Sequence, residues 1–539
     1  MNIVEEIRIK LLETITKLGV VCSLEDIIVE RSKDPSHGDY ASNIAMKSSR
    51  LFKKSPLEVA KMIVASFKFD SIEKVEIAGP GFINFFVKND ALSSVIRTIV
   101  KRGDDFGRGE KKEIRINVEF VSANPTGDLH IGHARGAAIG DSLCRILSFV
   151  GYDITREYYI NDAGKQIDNL GLSLIERYKE LLGQPFSLPE DGYHGEDVKI
   201  IANQIREKYG DNLLNRDNPL EFFKSEGKKL ELEKIIKDLY LFGVHFDIFS
   251  SELDIRSNDA IEKELTYLKP YTYLEEGATY LKTTDYLDDK DRVIVKSNGE
   301  YTYFLPDIVY HVNKISRGYD LLIDVLGADH HGYINRMKSS LMMHGYSSDS
   351  LEIELIQMVR FIKDGKEFVA SKRTGNAYTL KELIEDVGKD AARYFFVMRS
   401  SSTHLDFDMN LAIEQSSNNP VFYAQYAHAR LCSILSSAED IELDLDGKNL
   451  SKESETSLLK HLAAFPETVN NAAMERAPYR ITNYIHDLAE KIHAFYSECR
   501  VIDRDELNVT KSRLALCYAC KQVMKNALSL VGVDAPQHM

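Results

Sequence analysis

The sequence predicts an α/β protein in which a parallel, doubly wound sheet with insertions follows a small α/β domain and precedes an α-helical bundle. Residues 114–160 alternate strand, helix and strand, which is typical of a parallel doubly wound sheet. The charged, glycine-punctuated segment 101–113 separates this region from the part before it. From about residue 386, apolar residues recur at three-and-four spacing, which indicates packed helices. We therefore expect domains at 1–110, at 114–385 with an insertion at about 168–290, and at 386–539.

The composition is that of an ordinary globular chain. Of its 539 residues 44% are hydrophobic and 28% charged, and no apolar run approaches the roughly 18 residues that a membrane span needs. The N-terminal helical pattern carries acids, so we do not expect a signal peptide. Six cysteines do not form a disulfide framework, so we expect a cytoplasmic protein. The net charge of −15 argues against unspecific nucleic-acid binding but is compatible with local basic patches.

Residues 1–110 show the patterns of both helices and strands. Apolar periodicity marks each segment, and turn residues bound it. We predict helices at 3–18, 41–52 and 56–66, and strands at 27–29, 74–78 and 82–87.

The central region is predicted to contain the two halves of one sheet. The ligands of such a sheet bind at the carboxyl ends of its strands, so the loops after the strands are the candidate site. The first half has a strand at 114–121, a helix at 131–150 and a strand at 153–160. The second half has a strand at 321–326, a helix at 333–344 and a strand at 352–361. Between them lie a charged helical stretch, 168–270, and a β-rich piece from 276.

The most informative stretch is the strand, polar loop and helix start at 117–133. Two imidazoles, His130 and His133, stand three residues apart on one side of the first helical turn. Free backbone N–H groups and the positive end of the helix dipole favour a phosphate there, and Gly132 leaves room for a flat base. We predict that ATP binds here. The motif comprises Ala123, Asn124, Pro125, Thr126, Gly127, Asp128, Leu129, His130, Ile131, Gly132 and His133.

A second cationic loop follows a predicted hairpin turn at 363–366. It contains Ser371, Lys372 and Arg373, which on their own would most often be a solvated surface turn. Attack on the α-phosphate of ATP develops negative charge on the departing pyrophosphate, and Lys372 could meet that charge from the side opposite the histidines. The second loop becomes a candidate phosphate-binding site because the chain also contains the histidine loop.

Two other groups of residues invite a metal interpretation that we do not favour. Cys517 and Cys520 have no second ligand pair at a suitable spacing, and Cys520 shares an apolar stripe with Leu516, which indicates buried thiols. Asp329, His330 and His331 are adjacent, and adjacent side chains rarely point at one ion. We expect no structural zinc and a substrate-contacting loop at 327–332.

The two signatures, His130-Ile131-Gly132-His133 and Ser371-Lys372-Arg373, resemble the ATP-binding motifs of class I aminoacyl-tRNA synthetases. Other stretches resemble bacterial arginyl-tRNA synthetases in particular, and together they span nearly the whole chain. One departure is that Val369 and Ala370 stand where the family motif has Lys and Met, which bears on closure of that loop. The matching stretches are 37–40 (HGDY), 79–82 (GPGF), 123–133, 161–164 (NDAG), 288–292 (DDKDR), 327–331 (GADHH), 390–393 (DAAR) and 530–539.

The resemblance implies a fold and a reaction. Residues 1–110 would be a tRNA-elbow-binding domain, 114–385 a Rossmann-type catalytic domain and 386–539 a helical anticodon-binding domain. The reaction would join arginine and ATP to arginyl-adenylate and pyrophosphate, then transfer arginine to the 3′ terminal ribose of tRNA(Arg). Family members activate arginine only with tRNA bound. Mg2+ would accompany ATP, and the protein would be a monomer.

The resemblance also assigns site residues. Asp307 and Tyr303 would take the arginine guanidinium, a planar fork of donors that suits a carboxylate. The catalytic residues would be His130, His133 and Lys372. ATP would contact His130, Gly132, His133, Ser371, Lys372 and Arg373. The remainder of arginine would contact Glu119, Ser122, Asn124, His133 and His330.

Three alternatives fit part of these patterns. A tRNA-independent nucleotidyltransferase would share the histidine loop but would not need a helical bundle of some 150 residues. A cysteinyl-tRNA synthetase would need a zinc site that these cysteines are not spaced to supply. A catalytically inactive RNA-binding relative is disfavoured by the intact histidine pair and Lys372.

Overall fold

The structure is a computed structural model, and it describes residues 3–32, 34–257, 259–367 and 378–539. The chain folds into two compact units. The first comprises Met1–Asp104, Leu431–Ala464 and Glu490–Val523, and the second comprises Asp105–Arg430, Phe465–Ala489 and Met524–Met539.

Fifteen strands are found in the described residues, and they form four sheets. They are β1 (Val29–Arg31), β2 (Tyr40–Ser42), β3 (Ile72–Ala78), β4 (Phe82–Val87), β5 (Arg115–Glu119), β6 (Asp153–Ile160), β7 (Ile248–Ser251), β8 (Thr272–Glu275), β9 (Ala278–Leu281), β10 (Arg292–Val295), β11 (Leu321–Gly327), β12 (Leu351–Ile356), β13 (Val359–Lys363), β14 (Lys366–Glu367) and β15 (Leu405–Asp408).

The α-helices of the same residues are distributed along the whole chain. They are α1 (Ile3–Lys17), α2 (Ile44–Phe52), α3 (Pro56–Ser66), α4 (Asn89–Arg102), α5 (Ile131–Phe149), α6 (Lys165–Leu181), α7 (Glu196–Tyr209), α8 (Pro219–Leu241), α9 (Glu252–Ser257), α10 (Ala260–Leu268), α11 (Phe304–Ser316), α12 (Ile334–Met343), α13 (Leu380–Val387), α14 (Lys389–Val397), α15 (Met409–Ile413), α16 (Pro420–Ser436), α17 (Glu453–Met474), α18 (Tyr479–Glu498) and α19 (Leu507–Leu530).

The N-terminal part of the first unit is a four-stranded antiparallel sheet with helices. The strand order is β1-β2-β4-β3. Helix α3 begins at a capping box in which Ser55 accepts from the backbone of Glu58, and Pro56 occupies its first turn. The predictions of α3 and of β4 are confirmed. The predicted helix at 41–52 is confirmed as α2, but it begins only at Ile44, because Tyr40–Ser42 pairs with β4 as a strand. The sequence patterns do not predict α4.

The second unit contains a five-stranded sheet whose strands are all parallel. Their order is β12-β11-β5-β6-β7. The predicted parallel, doubly wound α/β class is confirmed, with β5 at the centre and α5 connecting it to β6. The carboxyl ends of β5, β6, β11 and β12 therefore meet at one edge.

Three details of this region differ from the sequence-based prediction. The stretch 352–361 is predicted as one strand, but β12 ends at Ile356 and β13 leaves to pair in parallel with β15. The helical insertion contributes an unpredicted edge strand, β7, to the main sheet. The region after 386, predicted as almost wholly helical, contains β15. The predicted hairpin at 363–366 is confirmed by the antiparallel pairing of β13 and β14.

The insertion has a hydrophobic core of its own. Helices α6, α7 and α8 bury one face each, and Tyr178 packs edge-on against Phe223 in their centre. No helix in the described residues is long and apolar enough to cross a membrane. The interpretation of Cys517 and Cys520 as buried thiols is confirmed, since each side chain is about 1% exposed.

Helix α5 is the element that positions the loop 123–133, and two contacts fix it. Its Gly140 lies against the ring of Phe120, so closely that a Cβ at this position would clash with the ring. Its Arg135 is buried and donates hydrogen bonds of 2.8 Å to the backbone carbonyls of Gln357, Ser400 and Thr403. The helix is thereby bound to the end of β12 and to the segment before β15.

We expect Gly140→Ala to destabilise the protein by about 1–3 kcal/mol, because the new methyl group overpacks against Phe120. Gly136→Ala is the matched control on the same helix, since its Cβ would meet no atom within 4 Å and alanine favours the helix. Urea denaturation midpoints measure both variants. A Gly140→Ala midpoint at or above that of the unaltered chain would contradict the packing argument.

Candidate active site

A cavity of about 820 Å³ opens at the carboxyl edge of the main sheet. Its wall contains residues from the carboxyl ends of four parallel strands. They are Glu119 at the end of β5, Ser122 after β5, Asn161 after β6, Gly327 at the end of β11 and Gln357 after β12. This is the position that the doubly wound architecture provides for ligands. The cavity lies within the second unit.

The backbone turns sharply where β5 enters the cavity. The sequence predicts that this strand continues to Val121, but it ends at Glu119, and Val121 and Ser122 have φ angles of +70° and +39°. Such angles cost roughly 1–3 kcal/mol each, and a β-branched residue rarely adopts them. The Ser122 hydroxyl donates to Oε1 of Glu119 at 3.0 Å and accepts from the backbone N–H of Tyr159 at 3.1 Å. These bonds hold the bend and direct the Ser122 side chain toward β6.

The structure brings His130 and His133 together at the start of α5. His130 is the N-cap residue, and its Nδ1 accepts from the backbone N–H of Gly132 at 3.1 Å. The two rings lie 3.9 Å apart between centroids. A Cβ at Gly132 would come within 2.8 Å of the His130 ring, so this arrangement requires glycine.

Both imidazoles are held in their neutral form. Burial lowers the pKa of His133 to about 4, with a smaller contribution from the neighbouring His130, and burial also lowers the pKa of His130. The buried Nδ1 of His133 has no hydrogen-bond partner among the described residues. A neutral His133 can therefore donate to or accept from a ligand in the cavity.

The loop containing the histidines is bound to the chain that follows residues 368–377. The backbone N–H of Ile131 donates to the carbonyl of Tyr378 at 3.1 Å, and that of Leu380 donates to the carbonyl of Leu129 at 2.7 Å. Thr379 then caps α13 through a capping box with Glu382. The predicted residues Ser371, Lys372 and Arg373 lie outside the described residues, as do Val369 and Ala370.

A buried ion cluster lies under the opposite wall. Lys314 on α11 is fully buried and donates to Glu119 and, at 3.0 Å, to Asp324 on β11. His311 contacts the second oxygen of Asp324 at 2.7 Å. Burial alone would favour the neutral acid, but Lys314 and His311 hold the pKa of Asp324 far below its ordinary value. The negative charges of Glu119 and Asp324 are thus neutralised by cations of the protein itself.

Asp307 differs from these acids. Its carboxylate faces the cavity, and none of the described residues donates a hydrogen bond to it or forms an ion pair with it. Burial raises its pKa to about 7, against the weaker opposing effect of His311. Its position is fixed, since His311 also contacts the Asp307 carbonyl at 2.7 Å through Nδ1. Asp307 is thus a carboxylate of the cavity wall that has no cation among the described residues.

The predicted phenol partner of Asp307 is placed elsewhere. The Tyr303 side chain is 81% exposed and does not line the cavity. The phenols of Tyr159, Tyr310 and Tyr333 line it instead, and the Tyr310 hydroxyl donates to Glu157 at 3.0 Å. Sequence reasoning missed Lys314 and Tyr310. The spacing of 307, 311 and 314, which puts three ionisable side chains on one helix face, was a signal that could have found Lys314.

The other predicted residues lie around the histidines or in the same wall. His330 lines the cavity and is 3.7 Å from its neighbour Asp329. Asn124 bonds to Gln166 and lines a second space of about 500 Å³ that also reaches His130 and His133. In the described part of the chain, no group of three or more His, Cys, Asp or Glu side chains could hold a metal ion.

Comparison with known proteins covers the full chain. Three family models match: "Arginyl tRNA synthetase N terminal domain" at residues 5–87, "tRNA synthetases class I (R), catalytic domain" at 95–432 and "DALR anticodon binding domain" at 424–539. An arginine–tRNA ligase of Bacillus subtilis is 50% identical over 100% of both chains, and one of Geobacillus kaustophilus is 48% identical over the same share. The solved arginyl-tRNA synthetase of Thermus thermophilus has the same fold, with a TM-score of 0.77 and 20% identity over 99% of this chain and 100% of that chain.

Proposed function

We propose roles for the residues of this cavity on the premise that the chain belongs to the bacterial class I arginyl-tRNA synthetases. The chain accordingly activates arginine with ATP and charges tRNA with it. What remains to be assigned is which side chains hold each substrate, and how.

The arginine guanidinium is proposed to bind Asp307. The observation that carries this assignment is the half-buried carboxylate of Asp307 in the cavity wall, which has no cation among the described residues. A guanidinium is always protonated and presents two parallel N–H donors, so it can satisfy both oxygens of Asp307 and favour the ionised form. A lysine ammonium cannot match this fork, so the pocket can discriminate against lysine without editing.

The remainder of arginine is proposed to contact Glu119, Ser122, Asn124, His133 and His330. Glu119 shares Lys314 with Asp324, and its other oxygen accepts from Ser122, so it offers partial negative charge to an α-ammonium. The bend at Val121 and Ser122 supports this placement, because it turns the end of β5 into the cavity. Tyr303 stays a prediction for the guanidinium site.

ATP is proposed to bind at the start of α5, through His130, Gly132 and His133. Neutral imidazoles supply hydrogen bonds to phosphate oxygens, and the positive end of the α5 dipole supplies positive potential, without bringing a net charge. The expected free N–H groups do not contribute, because those of Ile131, Gly132 and His133 already donate to Tyr378 and to His130. Lys372, flanked by Ser371 and Arg373, is proposed to meet the pyrophosphate. The chain that follows this loop is bonded to the histidine loop, since the carbonyl of Tyr378 accepts from the backbone N–H of Ile131. This bond supports the assignment of both loops to the same phosphates. Mg2+ would accompany ATP as its counterion.

The chemistry follows from this arrangement. The arginine carboxylate attacks the α-phosphorus, the bond to the β-phosphate oxygen breaks, and pyrophosphate leaves with the negative charge. The histidines and Lys372 act by donating to oxygens on which charge grows in the transition state. In the second step the terminal ribose hydroxyl of tRNA attacks the arginyl carbonyl and AMP leaves.

The flanking regions are proposed to bind tRNA(Arg). Residues 1–110 would contact the elbow and residues 386–539 the anticodon, with support from the two family models at the ends of the chain. We further propose that activation of arginine requires bound tRNA, that the enzyme is a monomer, and that it works in the cytoplasm.

Asp307→Asn should raise the KM for arginine by about 10²–10⁴-fold, because loss of one partner of a buried charged pair costs about 3–5 kcal/mol. The KM for ATP should stay within about threefold, because Asp307 is not among the proposed ATP contacts. Arginine-dependent pyrophosphate exchange with tRNA present measures both constants. Asp349→Asn, on the surface, is the matched control. An unchanged arginine KM in Asp307→Asn would refute the guanidinium assignment.

Pyrophosphate exchange should depend on both arginine and tRNA. We expect exchange with arginine alone among the amino acids, and only when total tRNA is added. The assay is run with each amino acid in turn, with tRNA that has an intact or a periodate-oxidised 3′ ribose. Exchange with arginine in the absence of any tRNA would overturn the proposed coupling, while leaving the arginine assignment intact.

A further inference from the structure

Helix α8 of the insertion reaches the two loops that frame the cavity, through Lys228 and Lys234. Lys234 Nζ lies 3.0 Å from Oδ1 of Asp128, which is two residues before His130. Lys228 Nζ lies 2.9 Å from Oδ2 of Asp162, which follows β6. The insertion therefore contacts both sides of the active site by charged bonds.

Lys234 is the centre of a mostly buried cluster of acids. Besides Asp128 it contacts Glu231 Oε2 at 2.5 Å and lies 3.8 Å from Asp197 at the start of α7. Glu231 is fully buried, and no hydrogen-bond donor among the described residues contacts its oxygens in addition to the ion pair. Burial raises the pKa of Glu231 to about 7, and it also raises that of Asp197. One lysine thus serves three carboxylates.

Such a cluster contributes little to stability. Desolvation of buried ions commonly offsets their attraction, so well-packed apolar residues would stabilise the helix equally well. The cluster instead fixes the positions of the charged side chains relative to one another. The ammonium of Lys234 can hold Asp128 in one place relative to α7 and α8, and Asp197 lies close enough to Gly127 that a Cβ there would meet its carboxylate at 3.4 Å.

The second lysine is part of a similar arrangement. Asp162 accepts from Lys228, from the hydroxyl of Ser251 at 2.7 Å and from the backbone N–H of Leu253 at 2.9 Å. Its neighbour Asn161 lines the cavity and donates to the carbonyl of Ser122 at 3.4 Å. The loop after β6 is therefore tied to α8, to the edge strand β7 and to the bend after β5.

We propose that α8 positions both cavity loops, and that Lys234 is a positioning residue for the ATP step that acts through Asp128 on the loop of His130 and His133. The inference rests on the proposed binding of ATP at that loop. It adds a role for the insertion in arginine activation that is independent of any contact between the insertion and substrate.

The test compares Lys234→Met with Lys229→Met in arginine-dependent pyrophosphate exchange with tRNA present. Lys229 is exposed on the same helix, so its variant controls for loss of charge from α8. We expect Lys234→Met to lower kcat by about 10²-fold, since misplacement of a catalytic loop by about 1 Å has effects of this size. The KM for arginine should stay within about threefold, and Lys234→Arg should recover most of the rate.

A double-mutant cycle with Asp128→Asn separates positioning from a merely structural role. If Lys234 acts through Asp128, the two single variants should lower kcat similarly and the double variant should be no worse than either. Glu231→Gln combined with Lys234→Met removes the acid left without its lysine. That pair should melt within a few degrees of the unaltered enzyme and still have the low kcat.

Two results would overturn the inference: a folded Lys234→Met enzyme with unchanged kcat, or losses in Lys234→Met and Asp128→Asn that multiply in the double variant. His133→Ala distinguishes this failure from failure of the proposed function. If His133→Ala abolishes exchange while Lys234→Met does not affect it, only the positioning role is wrong. If His133→Ala retains full activity, the assignment of ATP to this loop is wrong.

Discussion

A row of three carboxylates across the main sheet determines how this catalytic unit is built. Asp324, Glu119 and Glu157 occupy neighbouring register positions on β11, β5 and β6. Three like charges side by side in a buried place would repel each other and pay a large desolvation cost. Lys314 donates to the first two, and Arg317 donates to both oxygens of Glu157 at 2.7 and 2.9 Å. Lys314 lies on α11, and Arg317 directly follows the end of that helix. Because both cations must reach the row of carboxylates, the row fixes where α11 crosses the sheet.

This constraint has a consequence for substrate recognition. Lys314 lies two turns after Asp307 on α11. The ion pairs that hold Lys314 against the carboxylate row therefore also place Asp307 in the cavity wall. Every acid of the row has a cation, whereas Asp307 has none among the described residues. Asp307 is therefore the carboxylate that we propose for the guanidinium of the substrate. Another part of the wall, at the start of α5, offers neutral imidazoles and the positive end of a helix dipole, which suit phosphate. We propose that the first of these two parts binds arginine and the second ATP.

Sequence patterns could predict those features that depend on neighbours along the chain. The helix at 56–66 has its Ser55 cap and Pro56, and the histidine pair sits where a polar loop meets an amphipathic helix, so both were found. The division between β12 and β13 was missed, since it depends on distant bonds: Arg135 donates to the Gln357 carbonyl, and the Gln357 N–H donates to Ser401. The partners of Glu119 and Glu157 were missed for the same reason, as they lie about 160–200 residues away. Tyr303 was selected by resemblance and stays a prediction, with a side chain that is 81% exposed in the structure.

The central claim is that the arginine guanidinium pairs with the carboxylate of Asp307, and calorimetry of arginine binding tests it directly. Since the pKa of Asp307 in the free enzyme is about 7, roughly half of its molecules are protonated at pH 7, and binding of a guanidinium must release that proton. Titrations in buffers of different ionisation enthalpy count the protons released. We expect about half a proton at pH 7, close to one at pH 6 and almost none at pH 8.5, with no release from Asp307→Asn at any pH. Proton release that is the same in Asp307→Asn, or tight arginine binding by that variant, would contradict the account.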